Sequence, residues 1–330
     1  MAGTRGVKTV TAPLNAPVRT YRSMIMNSAR WDGYRPREGD VIVATYPKCG
    51  TTWTQQIVSL LIHQSPAPRD IMGEAPWLDA TIFGPVAPML ATLEAQTHRR
   101  SMKTHLPLDG FPVFAGVKVI HTVRDGRDAC VSMHNHQLGM RFETHMASVM
   151  AEAPPELLAA GGAPPPTPED PHAWFLQWMD DAEGYNPAAP FAQTPFCEFE
   201  RTYWTRRHEP WLLHVNYADM KADLAGEIRR IAAFLDIETP PAVMARLVEA
   251  ATFEAMKRDG EALLPQIGEH FDKGADRFLN KGVNGRWKEF LTGADLARYD
   301  ALIRRKLSPD HARWIEQGRR GAGDPRDLPD

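Results

Sequence analysis

Short runs of apolar, β-branched residues alternate along the chain with stretches whose apolar positions return at helical spacing. Val41–Ala44 reads as a buried strand, and Pro47 stops it. Gly50 allows a tight turn, Thr51 and Thr52 are good helix starters, and Ile57, Val58, Leu60 and Leu61 predict a helix through residue 63. Two prolines in residues 65–69 end it. A second strand is expected over residues 117–123 and a third over 212–217, and residues 100–107 close a further short one. Helices are predicted after the turn at 124–128, over 172–182, 203–208, 224–235, 240–251, 296–307 and 312–317. A short helix is expected at 21–29, where Met24, Ile25 and Met26 read as packing residues, and 75–78 and 85–90 read as irregular apolar segments. Alternating strands and helices define an α/β protein whose mainly parallel central sheet is flanked by helices on both faces. In such folds the site lies beyond the carboxyl ends of the strands.

The loops in that position carry the chemistry. Residues 48–52, 103–105 and 124–128 each follow a predicted strand, so they can converge. The first joins a lysine and two threonines to a helix N-terminus, where free backbone N–H groups receive a phosphate-like oxyanion. The pattern is not the common nucleotide P-loop, because the chain has no Gly-Lys dipeptide and its lysine precedes the glycine. Taken alone, the stretch also fits an ordinary strand-to-helix turn with a surface lysine.

Composition adds limits. The 330 residues are 43% hydrophobic and 24% charged, with a net charge of −3, so bulk electrostatics give no reason to expect nucleic acid and any anion site must be local. Cys49, Cys130 and Cys197 are too few and too scattered for a disulfide framework. There is no signal-peptide pattern at the start and no membrane-length apolar run, so a cytoplasmic protein is expected. Residues 1–20 read as a flexible leader, 21–317 as one domain, and 318–330 as a frayed tail. Residues 151–171 hold seven prolines and a small-residue run, and read as a long loop or lid. His134, His136 and His145 do not match a zinc spacing, so no metal is expected there and they read as pocket-lining or helix-face residues.

Several of these stretches resemble one family. Residues 45–53, Thr-Tyr-Pro-Lys-Cys-Gly-Thr-Thr-Trp, are similar to the phosphosulfate loop of cytosolic-type sulfotransferases, which use 3′-phosphoadenosine-5′-phosphosulfate (PAPS). Residues 103–107 resemble the family's catalytic histidine segment, 123–132 its 3′-phosphate segment, 217–221 and 252–257 two nucleotide-side segments, and 281–288 its C-terminal loop. The matches run in family order over residues 20–317, as in a bacterial-like member, and imply a P-loop-like three-layer fold.

The resemblance also implies roles. Lys48, Cys49, Gly50, Thr51 and Thr52 would hold the 5′-phosphosulfate; Arg124, Ser132, Asn280, Lys281 and Gly282 the 3′-phosphate; Trp53, Tyr217, Thr252 and Phe253 the adenine side. His105 would take the acceptor proton, Lys48 would neutralise the leaving oxygen, and Lys103 would help hold the sulfuryl group. The scheme requires no metal and leaves 3′,5′-adenosine diphosphate (PAP) as product. Trp77, Met89, Met140, Phe142 and Trp178 suit a pocket for a small apolar or phenolic hydroxyl acceptor.

The sequence departs from the family at several points. Asn280 stands where arginine is usual, Arg286 where aspartate is usual, and Ala251 where many relatives have threonine. Cys49 replaces the usual serine; Lys48 beside it could lower its thiol pKa, but it reads as a small tolerated side chain rather than a nucleophile. Gly293 and Ala297 break the family's dimer motif, so a monomer, or a homodimer formed another way, is expected. A P-loop kinase would need the missing Gly-Lys-Ser/Thr, and a non-catalytic relative would be expected to lack Lys48 or His105.

Overall fold

The computed structural model describes residues 12–160 and 166–329. Four strands, β1 Val41–Ala44, β2 Ser101–Thr104, β3 Lys118–Val123 and β4 Leu212–Asn216, form one parallel sheet in the order β2-β1-β3-β4. Alternate side chains serve two cores. Ile42, Ala44, Met102, Val119 and Leu212 face one, with Phe199, Tyr203, Tyr299 and Trp314. Val41, Val43, Ile120, Leu213 and Val215 face the other, with Ile57, Leu61, Ile228 and Ile231. Near-continuous apolar strands are what a sheet covered on both faces requires. The chain steps one way from β1 to β2 and the other way to β3, so a crevice opens at the carboxyl ends of β1 and β3.

Polar groups are buried between the sheet and the helix Phe196–Trp204. His121 on β3 has Nδ1 3.0 Å from the Ala44 carbonyl and Nε2 2.8 Å from Glu200, and its ring stacks on Tyr203. Both members of the pair are 1% exposed. Burial pushes the Glu200 carboxyl up and His121 pulls it back. Removing one partner leaves the other without compensation, so Glu200→Ala is expected to cost about 3–5 kcal/mol in urea unfolding. Glu198→Ala, which breaks a half-exposed pair with Lys306, is expected to cost under about 1 kcal/mol.

The structure corrects several sequence expectations. Residues 21–27 form a tight bend in which Arg22 pairs with Asn27, with a 3₁₀ turn only at Ser28–Gly33. Residues 86–95 are a helix, Val86–Ala95, whose single buried side chain, Leu93, gave a weak pattern. The helix expected at 203–208 is Phe196–Trp204, and an internal break at Asp223 separates Tyr217–Ala222 from Leu224–Phe234. Within the proline-rich stretch, Glu143–Glu152 ends and Pro155–Ala160 forms a short helix, while 161–165 lie outside the described residues.

Neither end is loose where it is described. Asn15 pairs with Val113, and its side chain donates to the Leu108 and Phe111 carbonyls; the leader reading for residues 1–11 lies outside the described residues. At the other end Asp219 accepts from the backbone N–H groups of Arg319 and Arg320, and Arg207 donates to the carbonyls of Pro325 and Leu328. The tail therefore docks on β4 and the helices around it. Among the described residues, no helix is long and apolar enough to cross a membrane.

Candidate active site

The three loops do converge, in a cavity of about 850 Å³ whose lining includes Lys48, Thr52, Lys103, His105, Arg124 and Ser132. Local backbone explains the first loop. Lys48 is held at φ +68 and Gly50 at φ +107. A Cβ on Gly50 would meet the Tyr217 ring at 2.9 Å, so only glycine fits. No side chain caps the helix Thr51–His63, whose first amides are left for a ligand. The Thr51 hydroxyl lies 2.6 Å from that of Thr45, which ties the loop to the end of β1.

The basic groups gather at the middle of the cavity. Lys48 Nζ lies 3.1 Å from His136 Nδ1 and over the Phe278 ring, and Lys103 Nζ lies over Trp77. Burial, reinforced by Lys103 and Arg124, lowers Lys48 to about 7. Burial lowers Lys103 to about 8, against the opposing pull of Asp79. Burial, then Lys103, pushes His105 down to about 3. His105 is thus a neutral imidazole. Its Nδ1 lies 2.8 Å from the Thr45 carbonyl, the partner of an N–H donor, which leaves Nε2 with the lone pair. Trp77 meets the ring edge-on at 4.7 Å.

A bound anion would restore the lysine charges. Their pKa values would rise, so binding takes up protons between the free and bound values. Anion affinity is therefore expected to be highest below pH 7 and to fall as pH climbs through 7 to 8. Calorimetry of PAP binding at pH 8 in buffers of different ionisation enthalpy would register that uptake.

The second basic group belongs to a clasp. Arg124 donates from Nε to Asn284 Oδ1 at 3.0 Å and from Nη2 to the Val283 carbonyl at 2.7 Å, and it lies 4.3 Å from the Tyr217 centroid. Asp128 accepts from the Gly285 N–H, which fastens the same loop to the helix Gly126–Gly139. Asn280, Lys281, Gly282 and Arg286 line the cavity from that loop. A Cβ on Gly282 would strike the Phe253 ring at 2.5 Å. Trp53 is pinned by its Nε1 bond to the Ala251 carbonyl at 2.7 Å and meets Tyr217 edge-on. Trp53, Tyr217 and Phe253 all line the cavity, and aromatic faces suit a flat base.

Some expected residues stand elsewhere. The Cys49 side chain is fully buried in a core, not in the cavity, and burial pushes its thiol well up rather than down. Thr252 caps the helix Phe253–Arg258: its hydroxyl accepts from the Ala255 N–H and donates to the Glu249 carbonyl. Met89 packs against a core, whereas Trp77, Met140, Phe142 and Trp178 do line the cavity. Ile25 and Met26 line it too, although they read as packing residues, and Met24 is buried with Val149 and Leu157.

Sequence reasoning missed Asp79 and Asn284, and although it singled out His136 it did not foresee that residue's contact with Lys48. Asp79 accepts from the indoles of Trp31 and Trp77 and sets the wall beside Lys103 and His105. No local pattern marks Asp79 or Asn284.

This fold and site define a nucleotide-type α/β enzyme, and the comparisons name its family. Residues 38–310 match the model described as "Sulfotransferase domain". The chain belongs to the sulfotransferase family, and its class of reaction is sulfuryl transfer. It is 36% identical to a glycolipid sulfotransferase of Mycobacterium bovis, over 91% of this chain and 95% of that protein. It is 26% identical to mouse sulfotransferase 1B1, over 86% and 87%. Among solved structures, retinol dehydratase in complex with retinol and PAP has the same fold (TM-score 0.65, 23% identity, covering 85% of this chain and 84% of that one). So does mouse sulfotransferase SULT7A1 complexed with PAP (TM-score 0.64, 18% identity, 88% and 95%).

Proposed function

We propose that this enzyme moves the sulfuryl group of PAPS to a hydroxyl of an apolar acceptor, by in-line transfer with His105 as general base. One observation carries the reading: Lys48, Lys103 and His105 sit together in a single cavity. The same cavity is lined by Arg124, Trp53, Tyr217 and Phe253 beside an uncapped helix N-terminus, and by Trp77, Met140, Phe142 and Trp178. A donor with a 5′-phosphosulfate, a 3′-phosphate and a flat base matches the first set group by group.

In this mechanism the acceptor hydroxyl lies against His105 Nε2, which takes its proton as oxygen attacks sulfur. The sulfur–bridging-oxygen bond breaks as the new sulfur–oxygen bond forms, and Lys48 meets the charge growing on the leaving PAP oxygen. Lys103 holds the equatorial sulfuryl oxygens. Residues 21–317 act as one catalytic domain, and no step calls for a metal. The apolar wall suits a phenol or a lipid-like alcohol; relatives named for glycolipids favour the lipid end of that range.

The test is calorimetry with PAP, without metal, followed by an acceptor screen with PAPS. Arg124→Ala is expected to lower PAP affinity at least about tenfold, as the loss of a charged phosphate contact should. Asn284→Ala, which loosens the clasp and keeps the guanidinium, is expected to cost less. Equal losses would make Arg124 only a loop fastener. A preference for ATP with Mg²⁺ over PAP would overturn the donor assignment.

A further inference from the structure

At the far end of the helix Thr51–His63 from the anion loop, three side chains from separate segments meet. One ring nitrogen each of His63 and His98 and a carboxylate oxygen of Glu74 all lie within 4.8 Å of one another. His63 Nε2 is 3.2 Å from Glu74 Oε2, and the two imidazoles stand edge to face with centroids 4.7 Å apart. None of the three lines the catalytic cavity. We propose that they form a site for a divalent transition metal of the zinc class, with His63, Glu74 and His98 as protein ligands and water in the fourth position.

The spacing is close to what such an ion needs. A tetrahedron with metal–ligand bonds of about 2.1 Å has edges near 3.4 Å, so the His63–Glu74 edge is already formed and His98 has only to move in slightly. The ligand atoms are also oriented from behind. Nδ1 of His98 lies 2.8 Å from the Arg99 carbonyl, which keeps a proton there and leaves Nε2 for a metal. Arg69 Nε donates to Oε1 of Glu74 at 2.6 Å, leaving Oε2 turned to His63. An ion pair between Arg69 and Glu74 requires neither histidine.

The backbone under the ligands is fixed. Asp70 caps the helix Ile71–Glu74, and the Gln96 side chain donates to the Glu74 carbonyl, which joins the segments carrying Glu74 and His98. All three residues are half-buried, so an ion could enter from solvent. Two imidazoles and one carboxylate prefer zinc-like ions to magnesium or calcium.

The site is structural by position. His98 leads into β2, which carries Lys103. Glu74 lies just before Pro76, whose carbonyl accepts from the Lys103 N–H, and Trp77, which packs on His105. A bound metal would brace the base of the wall that holds these groups and would take no part in transfer.

The test titrates the metal-stripped full chain with Co²⁺ and follows its visible absorption, with Zn²⁺ as competitor. One equivalent with the intense band of a four-coordinate centre is expected, displaced by Zn²⁺. Glu74→Gln and His98→Ala should each weaken binding by at least about tenfold, and Zn²⁺ should raise the melting temperature of the wild type but not of His98→Ala. Retained PAP binding would show that the variants are folded. His145→Ala, in the stacked His145–His270 pair, should leave Co²⁺ binding unchanged. Absence of stoichiometric binding, binding indifferent to both ligand variants, or binding lost with His145 instead would overturn the assignment.

Discussion

Replacing His105 by alanine is expected to lower kcat for sulfuryl transfer by about 10²–10⁴-fold, the range for losing a positioned general base. PAP affinity should change little, because the imidazole is neutral and packs edge-on against Trp77. Orientation matters here as much as residue type. The Thr45 carbonyl holds Nδ1, so the lone pair is on Nε2 before any acceptor arrives, and Trp77 limits rotation of the ring. His105→Asn keeps a donor to Thr45 but has no base, so it should be nearly as inactive as the alanine variant. Steady-state transfer measured beside PAP calorimetry checks the prediction. A His105→Ala enzyme with unchanged kcat would remove the imidazole from the mechanism.

Lys48→Met is expected to cost about 10²–10³-fold in kcat, as the loss of one preorganised group facing developing charge does. It should also change the pH behaviour of the donor site. Burial beside Lys103 and Arg124 holds Lys48 at about 7 when the site is free, so part of the proton uptake on PAP binding belongs to this ammonium. The variant should take up fewer protons at pH 8, and its PAP affinity should fall less between pH 7 and 8. What remains would come from Lys103, held at about 8. A lysine that only packed against Phe278 would move stability but neither of these readouts.

His136 adds a point that only the folded chain reveals. With Nδ1 3.1 Å from the Lys48 ammonium, and with its own proton affinity driven well down by burial and by Lys48, it is a neutral acceptor holding the lysine while the anion site is free. Incoming donor oxygens compete with it for the same ammonium.

What could be read ahead of the structure was local. The strand, turn and helix around Lys48 are written in adjacent residues, and so are β3 and the turn that follows it. Their convergence followed from one rule of parallel sheets. The unread part depends on contacts made across the chain. Arg124 and Asn284 are 160 positions apart, and Trp53 is fixed by the Ala251 carbonyl 198 positions away. Asp79 gained its place from neighbouring Trp77 together with Trp31 and Lys103, which lie far from it in the chain. Cys49 and Thr252 show the opposite case, a legible segment with an illegible side-chain placement. They stand inside the right segments, but the loop turns the Cys49 thiol into a core and a helix cap occupies the Thr252 hydroxyl. The tail read as frayed because its composition is polar, yet Asp219 satisfies two of its backbone amides and Arg207 two of its carbonyls.

The most direct test of the account is a crystal structure with PAP. The account predicts the 5′-phosphate at the first amides of the helix Thr51–His63, within reach of Lys48. It predicts the 3′-phosphate between Arg124 and Ser132, the adenine among Trp53, Tyr217 and Phe253, and the space beside His105 and Trp77 left for an acceptor. PAP bound with its adenine against Trp77 and Phe142, or with neither phosphate at these two basic groups, would contradict it.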